Sequence, residues 1–512
     1  MRAKDLLPHQ LPEEIKKGSL NWTVFLISLV ATGLLVLWGI IEPKHFGQAV
    51  NKALNFFVNY FDWSYLLIVS AFVIFCVWIA VSPFGNLKLG KPDDTPDYSL
   101  RSWLAMLFTV GMGIGVYFWG VAEPLYHYTS PPFGSPNSPE AVEIAMRYAF
   151  FHWGIHAWAI FAIVGLPIGY FSFKYGLPCT VSAALYPLLK EKTWGIAGKI
   201  IDALAIFATL GGIATSTGLA ALQINSGLNF LFGIPTTKVI QVIVVIISTL
   251  IFTLLAVKGI ERGIKVFSEI SFYAMLFLLV FILVFGPLKF ILQLFTDSIG
   301  AYLQNIIRMS FWTDPVKRSG WPGSWTVFYW AWWIAWAPFV GPFFARISKG
   351  RTIKEFIIGV LLFPTLFDLI WFSIFGGSGL YFEIFKGGGL AETVKKDVAT
   401  SIFLVLKYYP LFSLMAVFVI MAAAASFIDS ADAATFTAAM LSSNGNMEPS
   451  KRLKGLWGVL CGAIAAILIF SGGLKALQTA SIVAAFPFML VMVAMCFAFV
   501  KFLFVEGIEE KR

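Results

Sequence analysis

The chain has 512 residues, of which 58% are hydrophobic, 17% aromatic and only 13% charged, with a formal charge of +9 and a mean hydropathy of +0.80. Soluble domains carry about a quarter charged residues, so these proportions exclude a water-soluble enzyme, a disordered chain and a nucleic-acid-wrapping protein. The four cysteines, Cys76, Cys179, Cys461 and Cys496, show neither metal-site spacing nor a disulfide framework.

A helix needs about 20 apolar residues to cross the hydrocarbon core. Twelve such runs are predicted, over 22–41, 64–81, 103–122, 148–171, 201–222, 239–257, 270–285, 326–344, 356–375, 411–436, 456–470 and 481–500. The first is too long for a cleavable signal peptide, and no small-residue cleavage pattern follows it. With the N-terminus inside, inner segments hold 24 of the 37 Lys and Arg residues and outer segments 13. That asymmetry predicts cytoplasmic N- and C-termini and accounts for most of the positive charge. Between the seventh and eighth spans, 296–309 sets Asp297, Gln304, Asn305 and Arg308 against Ile299, Leu303, Ile306 and Ile307 at helical spacing. It reads as an amphipathic helix at the outer interface.

The expected organisation is an all-α polytopic membrane protein. A cytoplasmic tail (1–21) precedes two N-terminal transmembrane helices (22–84) and a five-helix half (103–290). The amphipathic connector (296–309), a second five-helix half (326–503) and a short cytoplasmic tail (505–512) follow.

Two spans carry helix-weakening residues. The third contains Gly111, Met112, Gly113, Ile114 and Gly115, and the eighth contains Pro338, Gly341 and Pro342. Glycine costs about 1 kcal/mol and proline about 3 kcal/mol inside a helix. Close packing through small residues is one explanation. The other is a pair of broken helices at matching places in two halves, which marks a transporter's substrate site. The eighth span also holds Trp325, Trp330, Trp332, Trp333 and Trp336, and the fourth holds Trp153, Trp158 and Phe161. An aromatic belt at the headgroups explains Trp325. The others lie deeper, where a cage of ring faces would suit a trimethylammonium group, each face contributing about 0.5–2 kcal/mol when dry. Three or four faces fall short of the ~8 kcal/mol of a micromolar ligand, so backbone N–H groups of 111–115 are expected to hold a carboxylate as a second anchor. No acid lies within GMGIG, which favours a zwitterion over bare choline.

The motifs GMGIGVYFWGVAEP (111–124), FHWGIHAW (151–158), FTDSIGAYLQNIIRM and WTVFYWAWWIAWAPFVGPFFARISKGRTIKEF (325–356) resemble those of the betaine/carnitine/choline transporter (BCCT) family, and the likeness runs over nearly the whole chain. The resemblance implies twelve transmembrane helices with two inverted five-helix repeats (a LeuT-like fold), usually in a homotrimer of the inner (cytoplasmic) membrane. It implies secondary import of a quaternary ammonium zwitterion such as glycine betaine, with no resident cofactor. It assigns the cage to Trp153, Trp158, Trp333 and Trp336, with Trp332 and Tyr126 on the approach. Phe161 stands where glycine betaine carriers have a tyrosine. Choline carriers tend to have aspartate where this chain has Gly115. The substrate set is completed by Gly111, Met112 and Gly113.

For the coupling ion, Na+ or H+, the resemblance points to Thr109, Met112, Ser426, Asp429 and Ser430, with a possible sodium site at Thr109, Met112, Asp429 and Ser430. Here Asp429 replaces the family's threonine. A second family sodium site needs two threonines one turn apart, and the chain has Thr209 but Ile213. The arginine that sodium-independent carnitine antiporters carry in the seventh span is absent near Glu269. An acid at membrane depth is functional by default, so Asp429 and Asp368 are both candidates for ion or proton handling.

Antiport of carnitine or betaine type and a passive channel remain as alternatives. A channel calls for charged or carbonyl rings along a wet pore. His152 and His156, one turn apart, also match a metal-ligand spacing, but five histidines in the chain are too few for a membrane di-iron enzyme, and His156 is expected to pack between helices.

Overall fold

Backbone N–H and C=O groups find no water in hydrocarbon, so a chain of this composition must satisfy them within helices. The computed structural model describes the backbone of residues 3–111, 113–258 and 261–509, and the side chains of those residues except 3, 4, 108–111, 258, 261–268, 508 and 509. Every regular element among the described residues is helical, apart from one isolated antiparallel bridge between Lys88 and Thr352. The long helices are α1 (Trp22–Ile41), α2 (Pro43–Val81), α3 (Leu100–Gly111), α4 (Ile114–Thr129), α5 (Pro139–Trp153), α6 (Ile155–Tyr175), α7 (Ile196–Phe232) and α8 (Lys238–Lys258). They continue with α9 (Glu261–Phe285), α10 (Leu288–Ser310), α11 (Thr326–Ile347), α12 (Ile353–Phe385), α13 (Phe412–Leu441), α14 (Lys451–Gly472) and α15 (Leu474–Glu509).

Nine helical stretches among the described residues are long and apolar enough to cross a membrane, with α5 and α6 forming one of them, or ten if the bent pair of α9 and α10 is one span. The nine match the expected spans other than the third, seventh and eighth. The third is divided into α3 and α4. The seventh, α9, is followed by α10 at a 112° bend. The eighth, α11, has 22 residues, about 33 Å of helix, but its tryptophans and prolines dilute its hydropathy.

Three details differ from expectation. The connector is longer than 296–309, because α10 starts at Leu288, just after Gly286 and Pro287. Its Leu294, Ala301 and Tyr302 are buried, while Asp297, Gln304 and Arg308 are exposed together with Leu303 and Ile307 of the expected apolar face. The eighth span is one helix rather than a broken one, despite Pro338 and Pro342. Neighbouring helices support it: a Cβ on Gly165 of α6 would lie 2.8 Å from the Gly341 carbonyl, so small residues let the two backbones meet. The fourth span, expected to run unbroken, is interrupted at Gly154, where a side chain would collide with the Phe150 carbonyl at 2.4 Å and the Tyr302 hydroxyl at 2.9 Å.

These packing relations set the layers. Helices α1 and α8 are the least buried of the nine crossing stretches and expose rows of apolar residues, among them Leu34, Ile40, Ile247 and Leu254. Helix α11 lies at the centre, buried along almost its whole length and packed against α6, α7 and α15.

Candidate functional site

The third span breaks where its glycines predict. Helix α3 ends at Gly111 and α4 begins at Ile114, with Gly113 extended between them and no side chain capping α4. The first N–H groups of a helix lack intrahelical partners and favour an anion, so the start of α4 offers donors at bundle depth. Aromatic rings cover this break. A Cβ on Gly113 would stand 2.5 Å from Trp336 Cη2, and one on Gly115 would stand 2.6 Å from Trp153 Cη2 and 3.0 Å from Trp332 Cη2. Only glycine lets these indoles sit so close to the backbone. Met112 and the side chain of Thr109 lie outside the described residues, and Gly111 is described as the last residue of α3.

The rings of three helices converge above these glycines. Trp153 of α5 meets Trp333 of α11 edge-to-face at 4.9 Å, and Trp333 stacks on Trp332 at 4.9 Å. Trp336 sits edge-on to both Trp332 and Trp333 at 6.2 Å. Phe161 of α6 bridges Trp158, at 5.6 Å, and Trp333, at 6.3 Å. None of these six rings is more than 4% exposed, so they face protein rather than lipid. They pack directly against one another.

Each indole N–H in the cluster is answered. Trp333 donates to the His152 carbonyl at 3.0 Å, Trp336 to the Gly212 carbonyl at 3.3 Å and Trp332 to Ser216 Oγ at 3.3 Å. Trp153 donates to Glu123 Oε2 at 2.8 Å. Trp158 donates to the Trp153 carbonyl and to Asp368 Oδ2, both at 3.1 Å. Two of the rings are thus anchored on buried carboxylates. Such charge-assisted bonds are about twice as strong as neutral ones.

Glu123 is a buried hub of the site that sequence reasoning did not single out. It is fully buried, and besides Trp153 it accepts from the Tyr329 hydroxyl at 2.6 Å and lies 2.6 Å from His152 Nδ1 and 3.1 Å from His127 Nε2. It ties α4, α5 and α11 together. Its sequence signal was an acid inside an apolar span, immediately before Pro124. The two histidines at metal-ligand spacing go to different partners, and His156 packs between helices as expected. His152 joins Glu123 and His127, whose ligand atoms lie within 4.8 Å of one another, whereas His156 stacks on Trp330 at 5.4 Å and pairs with Ser310 Oγ at 2.9 Å. The helix is interrupted between the two histidines, at Gly154.

The remaining candidates are placed as follows. Tyr126 is half-buried, its ring 5.4 Å from Trp325 and its hydroxyl 3.5 Å from the Val394 carbonyl. On α13, Ser426 and Ser430 are buried and Asp429 is partly buried. Ser426 Oγ lies 2.7 Å from Ser271 Oγ of α9, and one turn on, Asp432 pairs with Lys454 at 3.0 Å. Thr209 donates to the Ala205 carbonyl of its own helix at 2.9 Å.

Comparison with known proteins adds independent findings. Residues 23–507 match the model of the betaine/carnitine/choline family of transporters. A probable glycine betaine transporter of Desulfitobacterium hafniense is 47% identical, over 94% of this chain and 97% of its own. The glycine betaine transporter OpuD of Bacillus subtilis is also 47% identical, over 96% of both chains. An ectoine/hydroxyectoine transporter of Virgibacillus pantothenticus is 38% identical, over 96% of this chain and 98% of its own.

Proposed function

The chain belongs to the betaine/carnitine/choline transporter family, and from that premise we propose that it imports glycine betaine or a close quaternary ammonium analogue by alternating access. The observation that carries this reading is the convergence of Trp153, Trp158, Phe161, Trp332, Trp333 and Trp336 on the glycines of a broken helix. Ring faces attract an ammonium ion that has no hydrogens to donate. The uncapped start of α4 attracts the carboxylate at the other end of a zwitterion. Both relatives at 47% identity carry the name of glycine betaine transporters, which supports the same substrate. Gly115 supports it further, since an aspartate there would have to displace Trp153.

In this reading the chain is a carrier and not an enzyme. It has twelve transmembrane helices, with α3–α4, α9 and α11 added to the nine apolar stretches, and its two halves are inverted five-helix repeats. It works in the cytoplasmic membrane with both termini inside, surrounded by lipid and assembled as a homotrimer. Import draws on a cation gradient, Na+ or H+, through Thr109, Met112, Ser426, Asp429 and Ser430. Because the rings touch one another, the substrate must part them. Uptake of radiolabelled glycine betaine into vesicles, with sodium and proton gradients imposed separately, tests the proposal. Accumulation above the outside concentration under either gradient is expected, and entry that only equilibrates would contradict it.

A further inference from the structure

Asp368 lies one hydrogen bond behind the cage, and holding the Trp158 indole occupies only one of its two oxygens. It is 1% exposed, on the helix α12. Its Oδ2 accepts from Trp158 Nε1 at 3.1 Å, whereas its Oδ1, also buried, meets no donor. Among the described residues no basic side chain forms an ion pair with it. The charged and titratable groups of α2, α4, α5, α6 and α10, five of the helices packed against α12, make no bond to Asp368. Glu123 and His127 on α4 and His152 on α5 bond to one another, Arg147 on α5 pairs with Glu143, and Lys174 on α6 pairs with Glu506. His156 on α6 is held by Ser310, and Tyr117 on α4 packs on Trp371 at 5.2 Å. Arg308 on α10 lies over Phe133, while Lys289 and Asp297 on α10, and Asp62, Lys52, His45 and Lys44 on α2, have no bond or ion pair with Asp368. On its own helix Glu355 caps the N-terminus and Glu383 binds the Leu390 and Ala391 N–H groups.

A carboxylate with one unanswered oxygen in a dry site is costly unless a cation accompanies it. The surroundings select which cation. A metal ion needs a shell of oxygens in place of its water, but the neighbour on Oδ2 is the N–H donor of an indole. A proton needs only one oxygen. Thr365, three residues earlier and so on the same helix face, has a buried hydroxyl that also meets no partner. It lies toward the end of α12 that the loop charges place inside.

From this geometry we infer that Asp368 is a proton-binding site coupled to the cage, so that a proton travels with the substrate. This inference rests on the carrier reading and deepens it by adding a proton seated at Asp368 to the cation path proposed through Asp429. The proton enters as a bond to Oδ1, neutralising the carboxylate while the indole of Trp158 stays held through Oδ2. On the inner side it leaves past the Thr365 hydroxyl, and the restored carboxylate resets the site.

Two measurements test this. Infrared difference spectra of the purified protein across a pH titration should show a protonated-carboxyl band that is lost in Asp368→Asn. That arm needs no substrate, and absence of the band in the wild type overturns the inference whatever the substrate proves to be. In vesicles loaded with a pH dye, inward glycine betaine flux should acidify the interior, and the acidification per glycine betaine carried should be lost in Asp368→Asn, whatever flux that variant retains. Glycine betaine flux through the wild type with no pH change, or equal acidification by Asp368→Asn, overturns the inference. Should the variant fail to fold, the wild-type outcomes still decide it. A carboxyl band without any glycine betaine binding sinks the substrate reading and leaves the proton site standing.

Discussion

Replacing Gly115 with alanine puts the geometry of the cage to a quantitative test. The added methyl would lie 2.6 Å from Trp153 Cη2 and 3.0 Å from Trp332 Cη2. Carbon atoms settle at about 3.5–4.0 Å, so the Trp153 ring must retreat by about 1 Å. It cannot do so freely, because its N–H is bonded to Glu123 at 2.8 Å and its face packs on Trp333 at 4.9 Å. Either the indole tilts, removing one ring face worth about 0.5–2 kcal/mol to a quaternary ammonium ion, or the Glu123 bond lengthens at comparable cost. The dissociation constant for glycine betaine should rise about five- to thirty-fold, equivalent to about 1–2 kcal/mol. Titration of the purified protein by tryptophan fluorescence measures it. Gly300→Ala is the control, since nothing lies within 4 Å of a Cβ there. Unchanged affinity in Gly115→Ala would refute the claim that these rings are pinned around the substrate.

Trp333→Ala should weaken glycine betaine binding by about 1–2 kcal/mol, while Trp22→Ala, at a residue 63% exposed, should leave the binding isotherm unchanged. Glu123→Gln keeps the shape of the hub but removes its charge, and should lower both melting temperature and affinity by the equivalent of about 1–3 kcal/mol. Calorimetric melting and ligand titration of the same sample check both effects. Asp429→Asn should abolish uphill accumulation in vesicles while sparing equilibrium binding, and continued concentrative uptake by that variant would remove Asp429 from the coupling path.

The sequence made the ring cluster and the helix break legible because their signals are local. Tryptophans several turns inside apolar spans need partners for their N–H groups, and three glycines in five residues cannot sustain a helix. Both features were visible in 111–115 and 325–336, and the structure joins them at the Gly113–Trp336 and Gly115–Trp153 contacts. What stayed hidden depends on contacts between distant segments. Glu123 answers Tyr329, and Asp368 answers Trp158, across separations of 206 and 210 residues that leave no periodic trace. Proline content suggested a broken α11, but the support that Gly165 gives to Gly341 is a property of the neighbouring helix. Hydropathy recovered the lipid-facing crossings best, since α1 and α8 have mostly hydrocarbon to satisfy, and it served α11 least, because protein surrounds it.

The most direct test of the account is calorimetric titration of the purified protein with glycine betaine and with tert-butylacetate, which has the same shape and carboxylate but an uncharged head. Recognition by ring faces predicts binding of glycine betaine and at least about tenfold weaker binding of the neutral analogue. Equal affinity for the two, or no binding of glycine betaine at all, would contradict it.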